Sequence, residues 1–326
     1  MGILSAPGIA SLDTYGSLSA LAALGEATPS VRQWIAVRER FARFHRKIQL
    51  TDAQRQDGLT KFRGVVRCLN RAYYGTNSES DHAFLIGSWG KGTAIRPPRD
   101  VDFYFVLPPE VHARFQEYTW NRQSALIQEV KGCLAETYPD TDMSGDGQVV
   151  LVRFESYSIE VVPAFLLQSG RYWICDTHDG GSYKETNPSA ELRKVEAEDS
   201  ANAGNLRPLI QMLKAWQGYC NVPIKSFHLE LVAAQFLAQS PWRLYDWFWY
   251  DWLTRDFFKY LLSQANLFVV VPGGIEFVYL GDDWVSRTES AYRRALEACD
   301  NERGNYVYLA GEEWQKIFGP DIPLSV

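Results

Sequence analysis

GSWGKGTAIRPPRDVDFYFVLP, residues Gly87 to Pro108, carries two aspartates one residue apart in an apolar run, with eleven residues between Ser88 and Asp100. Side chains alternate across a strand, so Asp100 and Asp102 project from one face about 7 Å apart, while Val101, Phe103 and Phe105 project from the other as core candidates. The carboxylates can therefore share one ligand at the edge of a cleft. Two ionised carboxylates this close and partly desolvated raise each other's pKa unless a cation neutralises them. A divalent metal meets that need, and Mg²⁺ in particular takes one or two carboxylates together with phosphate oxygens and water. The competing reading is the solvent face of an amphipathic strand. Context favours the metal: Gly87 and Ser88 directly follow a strand, where glycine lets backbone N–H groups approach a phosphate and the serine hydroxyl adds a donor.

A third acid stands in SIEVVPAF, where Glu160 interrupts Ile159, Val161 and Val162. An acid inside an apolar strand is costly without a partner. Outward from these motifs, His82–Ile86 and Val101–Leu107 read as strands joined by a Gly- and Pro-containing loop. Gln148–Phe154 and Ser158–Phe165 read as a strand pair. Val31–Lys47 follows helical spacing, and Thr51 with Gln54 forms a capping-box pattern opening a helix to about Tyr74. Pro108 to about Tyr138 reads as one helix. Asp176–Pro188 reads as a polar, turn-rich stretch, after which long helices dominate: about Asn205–Gly218, Ser226–Gln239, Trp242–Ala265, Arg287–Arg303 and Ala310–Phe318. A mixed sheet with helices over residues 1–195 and a helical lobe over 196–326 are thus expected, with a hinge near 185–200 and a cleft between the lobes.

The totals agree with a two-lobed folded protein. At 326 residues the chain exceeds the size at which a single core usually stops growing. Hydrophobic residues at 46% and charged residues at 22% are ordinary globular usage. The net charge of -6 argues against a nucleic-acid partner held by phosphate neutralisation. Five cysteines, odd in number and without a C-x-x-C pair, indicate neither a disulfide framework nor a zinc site, and suit a reducing cytoplasm. The first thirty residues are apolar but lack a basic n-region, and Ala6 stands where a myristoylation signal needs Ser or Thr. They read as a partly ordered leader. No run of about 18 uninterrupted apolar residues predicts a membrane span.

The combination GS-x11-D-x-D followed by an acid in EVVPAF resembles the polymerase-β-like nucleotidyltransferase superfamily. Within it the bacterial CD-NTases look most similar, the relatives of cyclic GMP-AMP synthase and oligoadenylate synthase that make cyclic oligonucleotide signals in anti-phage defence. LRPLIQMLKAWQGYCNVPIKSFHLE, Leu206–Glu230, resembles that family's lysine helix and lysine-serine-aromatic element, and EEWQKIFGPDIP, Glu312–Pro323, its closing segment. The resemblance covers roughly residues 80 to 323. It implies an α+β fold with a nucleotidyltransferase lobe and a C-terminal helical lobe. It further implies that Asp100, Asp102 and Glu160 bind two Mg²⁺ ions, or Mn²⁺, with Gly87 and Ser88 at the donor triphosphate. Lys214 and Ser226 would hold the outer phosphates and Phe227 would stack on a base. Family members usually carry aspartate where this chain has Glu160, one methylene longer.

Two of these roles have independent support. Lys214 lies on the flank of the stripe formed by Leu206, Ile210, Leu213 and Gln217, where its stem can pack while its ammonium reaches a cleft. A solvated surface lysine is the alternative. Ser226 falls where a helix N-cap belongs, which is also an anion site; simple capping is the alternative. The ten aromatics of PWRLYDWFWYDWLTRDFFKY read as core or partner contact rather than a stacking platform for single strands. His228 receives no role.

The resemblance implies ATP or GTP as substrates, pyrophosphate release and a product read by a separate effector; control by a regulatory protein or by a metabolite stays open. Two alternatives stay open. One is a non-cyclising nucleotidyltransferase acting on RNA, a small molecule or a protein; the other is a nucleotide-binding relative with weak or no turnover.

Overall fold

The computed structural model describes residues 31–274 and 276–326, so the leader lies outside the described residues. The opening motif falls on β2 (Asp100–Val106), which pairs antiparallel with β1 (Ala83–Leu85) and parallel with β5 (Ser158–Leu166). β5 is the organising strand. Its first half also pairs with β4 (Val149–Arg153), which pairs in turn with β3 (Asp142–Asp146). Its second half pairs with β6 (Tyr172–Asp176), which carries β7 (Ser182–Thr186). The result is a seven-stranded mixed sheet.

On β2, Val101, Phe103 and Phe105 are buried, as the alternation requires. They pack under α2 (Asp52–Tyr74) and α5 (Arg122–Thr137), with Phe103 edge-on to Phe62 and ring centroids 5.0 Å apart. The capping box of α2 forms as read: the Gln54 backbone N–H donates to the Thr51 hydroxyl, and the Thr51 N–H donates to the Gln54 side chain. A second, separate core joins α1 (Val31–Ile48), α7 (Leu206–Tyr219), α8 (Ser226–Gln239), α9 (Tyr250–Leu262), α10 (Val285–Arg303) and α11 (Val307–Phe318). Thus α1 packs with the helices of the second half, although its place in the chain groups it with the first.

Several expectations change. The loop after β1 begins with a short helix, α3 (Gly87–Lys91). The helix expected from Pro108 to Tyr138 is two, α4 (Pro109–Gln116) and α5, because Asn121 leaves the helix to accept from the Ser124 N–H and to donate to the Thr177 carbonyl. The turn-rich stretch contains β7, and the expected hinge holds α6 (Pro188–Ala201), opened by Asn187 as cap and Pro188 at the first turn. Pro241 and the Asp246 cap, which receives the Phe248 N–H, delay α9 to Tyr250. A hairpin of β8 (Phe268–Val270) and β9 (Phe277–Tyr279) follows it. The aromatic run is structural: Tyr250, Trp252, Phe257 and Phe258 belong to the helical core.

Candidate active site

Asp102 and Glu160 are register partners on the parallel strands β2 and β5. Register partners on neighbouring strands share a face, so the acid that interrupts the apolar β5 has its explanation one strand away. Their side chains interact, and that interaction raises Asp102 while lowering Glu160. Burial, then Glu160, then Asp100 push Asp102 up to about 7, against which Lys214 pulls. Burial and the charge of Asp100 likewise raise Glu160. All three acids therefore act on one another electrostatically.

Gly87 is required beside them. Its φ of 53° is in the left-handed region, and a Cβ there would stand 2.1 Å from Asp102 Oδ2. The Ile86 N–H donates to the Asp102 carbonyl at 2.9 Å, which fixes the start of α3 against β2. Gly87, Ser88, Asp100 and Asp102 form one wall of a cavity of about 470 Å³. Lys214, Ser226 and Phe227 line the same cavity. Glu160 does not line that cavity but stands beside Asp102 on the neighbouring strand.

One sequence reading is corrected in detail, and one alternative is set aside. Lys225, not Ser226, is the N-cap of α8; Ser226 is its first residue and donates its hydroxyl to Gln217 Oε1 at 2.6 Å. Lys214 is not a solvated lysine but is 8% exposed. Its ammonium meets Glu230 Oε1 at 2.6 Å and Thr93 Oγ1 at 2.9 Å.

Sequence reasoning missed Lys91 and Glu230. Lys91, 5% exposed, pairs with Glu230 and Glu191 at 3.0 Å each and stands 4.7 Å from the centre of the Phe227 ring. Burial opposes its charge, but the two glutamates outweigh that and hold Lys91 above its ordinary value. Burial would raise Glu230, yet Lys214 and Lys91 hold it below the usual range. One signal existed: Glu230 follows Ser226 by four, which puts both on one face of α8.

The donor set suits a hard divalent cation, since it offers only carboxylate oxygens beside a polar cavity. Burial first and the neighbouring acids second raise Asp102 and Glu160, and a bound cation would relieve both costs. Among the described residues no three His, Cys, Asp or Glu side chains already form a closed ligating group, so Asp100, Asp102 and Glu160 would have to gather onto an ion.

A mixed sheet with paired acids on adjacent strands, a Gly-Ser turn beside them and a helical second core is the polymerase-β-like nucleotidyltransferase fold. The profile of the Second Messenger Oligonucleotide or Dinucleotide Synthetase domain matches residues 35–198, half of the chain, and the chain belongs to that family, the bacterial CD-NTases. It is 27% identical over 137 residues to a cyclic AMP-AMP-AMP synthase of Acinetobacter, covering 42% of this chain and 39% of that protein. It is 26% identical over 162 residues to the CBASS oligonucleotide cyclase CdnC of Escherichia coli, covering 46% and 49%. The aligned stretch thus spans under half the length of these relatives. Solved structures share the fold: E. coli MS115-1 CdnC with ATP has TM-score 0.63 at 19% identity, covering 87% of this chain and 98% of the other. The Vibrio cholerae di-nucleotide cyclase DncV has TM-score 0.64 at 14% identity, covering 97% and 94%. Among the described residues no helix is long and apolar enough to cross a membrane.

Proposed function

We propose that this protein is a nucleotidyltransferase that joins nucleoside triphosphates into a cyclic di- or trinucleotide with release of pyrophosphate, in the CBASS setting named for its E. coli relative. The observation that carries the reading is the pairing of Asp102 with Glu160 across β2 and β5, with Asp102 lining one cavity together with Gly87, Lys214, Ser226 and Phe227. ATP and GTP are the favoured substrates, and solved CD-NTases bound to each share this fold. A regulatory protein partner is supported by the structure of CdnC in complex with a HORMA protein. The cytoplasm is the proposed compartment.

Asp100, Asp102 and Glu160 would hold two Mg²⁺ ions, which in such sites activate the attacking hydroxyl and neutralise the leaving phosphates. The acceptor ribose hydroxyl attacks the α-phosphorus, the bond to pyrophosphate breaks, and pyrophosphate leaves with the electron pair. Once gathered with the two aspartates at the ions, Glu160 would take the hydroxyl proton, its basicity raised by burial and by Asp100. Ser88 donates to the triphosphate, Lys214 and Ser226 hold the outer phosphates, and Phe227 stacks on the base. A second transfer on the turned linear intermediate closes the ring.

Purified protein incubated with labelled ATP, GTP, CTP and UTP and Mg²⁺ or Mn²⁺ is expected to give a phosphatase-resistant product. Asp100→Asn combined with Asp102→Asn is expected to lower its formation by about 10³-fold or more without loss of the fold, because charge goes and volume stays. Absence of such a product under every nucleotide and metal combination sinks the proposal.

A further inference from the structure

All three donors of the Lys214 ammonium are engaged inside the protein. Its Nζ lies 2.6 Å from Glu230 Oε1, 2.9 Å from Thr93 Oγ1 and 3.4 Å from the Thr93 carbonyl oxygen. Glu230 Oε2 takes Lys91 at 3.0 Å, and Glu191 takes the same ammonium at 3.0 Å. The hydroxyl of Thr93 donates to Glu230 Oε1 at 3.1 Å. The four charges come from four elements: Lys91 from α3, Glu191 from α6, Lys214 from α7 and Glu230 from α8. They sum to zero. The two cations that face the cavity are thus already neutralised by carboxylates of the protein.

We propose that Glu230 is a built-in counter-ion of the phosphate-binding lysines, a specificity residue that a nucleoside triphosphate or pyrophosphate displaces more readily than a monophosphate does. This rests on reading the cavity as a nucleotidyltransferase site. A phosphate oxygen reaches Lys214 only by taking the place of a Glu230 oxygen or of Thr93. Because one carboxylate serves both ammoniums, Lys91 enters the same exchange. A ligand with several charged oxygens can satisfy both lysines at once and repay the separation of Glu230 from them. A monophosphate, with about two charges, carries less charge than a triphosphate or pyrophosphate and repays less of that separation. After transfer, Glu230 recaptures the lysines and competes with the departing pyrophosphate. The cost is weaker ground-state binding, and the gain is a site that clears its product between the successive transfers that a ring requires.

The test is calorimetric binding of magnesium pyrophosphate, AMP and a non-hydrolysable ATP analogue with Mg²⁺ to the parent chain, Glu230→Gln and Glu230→Asp. Removing the competing charge in Glu230→Gln is expected to tighten pyrophosphate and the ATP analogue by about tenfold and AMP by much less. Glu230→Asp keeps the charge but is too short to span both ammoniums, and is expected to fall between. It carries the test should Glu230→Gln lose its fold, as judged by thermal melting. Weakened or unchanged pyrophosphate binding in both variants overturns the counter-ion role and leaves the site reading standing. No binding of the ATP analogue or pyrophosphate to the parent chain overturns the site reading and the counter-ion with it.

Discussion

At Asp102 two demands conflict: a carboxylate that is to hold a metal must be ionised, yet its surroundings favour the neutral acid. Burial and the charges of Glu160 and Asp100 push it up to about 7. An acid whose folded pKa lies above its unfolded value of 3.8 binds more protons in the native state between those two values. Without divalent ions, this group therefore lowers stability as pH rises from about 4 to about 7, and the loss is complete above 7. Mg²⁺ that gathers the ionised form is expected to raise the melting temperature more at pH 8 than at pH 5, and the gain should vanish in Asp102→Asn. Equal Mg²⁺ effects at both pH values would count against a metal at this residue. The opening motif displayed this much in advance, since D-x-D spacing sets two acids on one face of a strand. That Glu160 joins the two aspartates came from the family resemblance; its residues alone could not show it as the neighbour of Asp102, because register between positions 58 residues apart depends on how the strands pair.

Among the elements, α9 carries a second acid whose environment opposes its charge. Asp251 is 2% exposed, and its Oδ1 has no hydrogen-bond partner. Burial first, then Glu302, push it up to about 8 from 3.8. The parent chain should accordingly lose stability as pH rises through this window, whereas Asp251→Asn should not. Denaturant melts of the two are expected to converge near pH 4 and diverge towards pH 8, with the variant more stable by an amount on the order of 1 kcal/mol or more. Parallel curves would show that Asp251 is neutralised by a partner. The same scale explains the misplaced boundaries. Periodicity shows where a helix can run, and it ran on through 108–138 and 242–265, but the breaks at Asn121 and Asp246 come from side chains that cap the next segment. Of these, only the second was flanked by an obvious breaker, Pro241. The α6 start, Asn187 then Pro188, was a readable cap inside what looked like a hinge.

For the whole molecule, Arg40 ties α1 to the far end of the chain. Fully buried, it pairs with Glu302 at 2.9 Å and donates to the carbonyls of Val307, Pro323 and Leu324. Arg40→Met, which keeps the stem and drops the charge, is expected to cost about 3–5 kcal/mol, because Glu302 and three carbonyls lose their partner. A shift below 1 kcal/mol in denaturant melts would mean that water replaces the guanidinium. The sequence by itself determined the elements that local chemistry dictates: the capping box of α2, the apolar face of β2, the exact span of α8 and the paired aspartates beside a Gly-Ser turn. It also carried the family, whose motifs are contiguous in the chain. Only the tertiary structure decided that α1 joins the helical core, that Glu160 meets Asp102, and that Lys91 and Lys214 share Glu230. Those outcomes hinge on contacts between distant segments, where burial makes a charge seek whichever partner the packing brings near, and no periodicity records that choice.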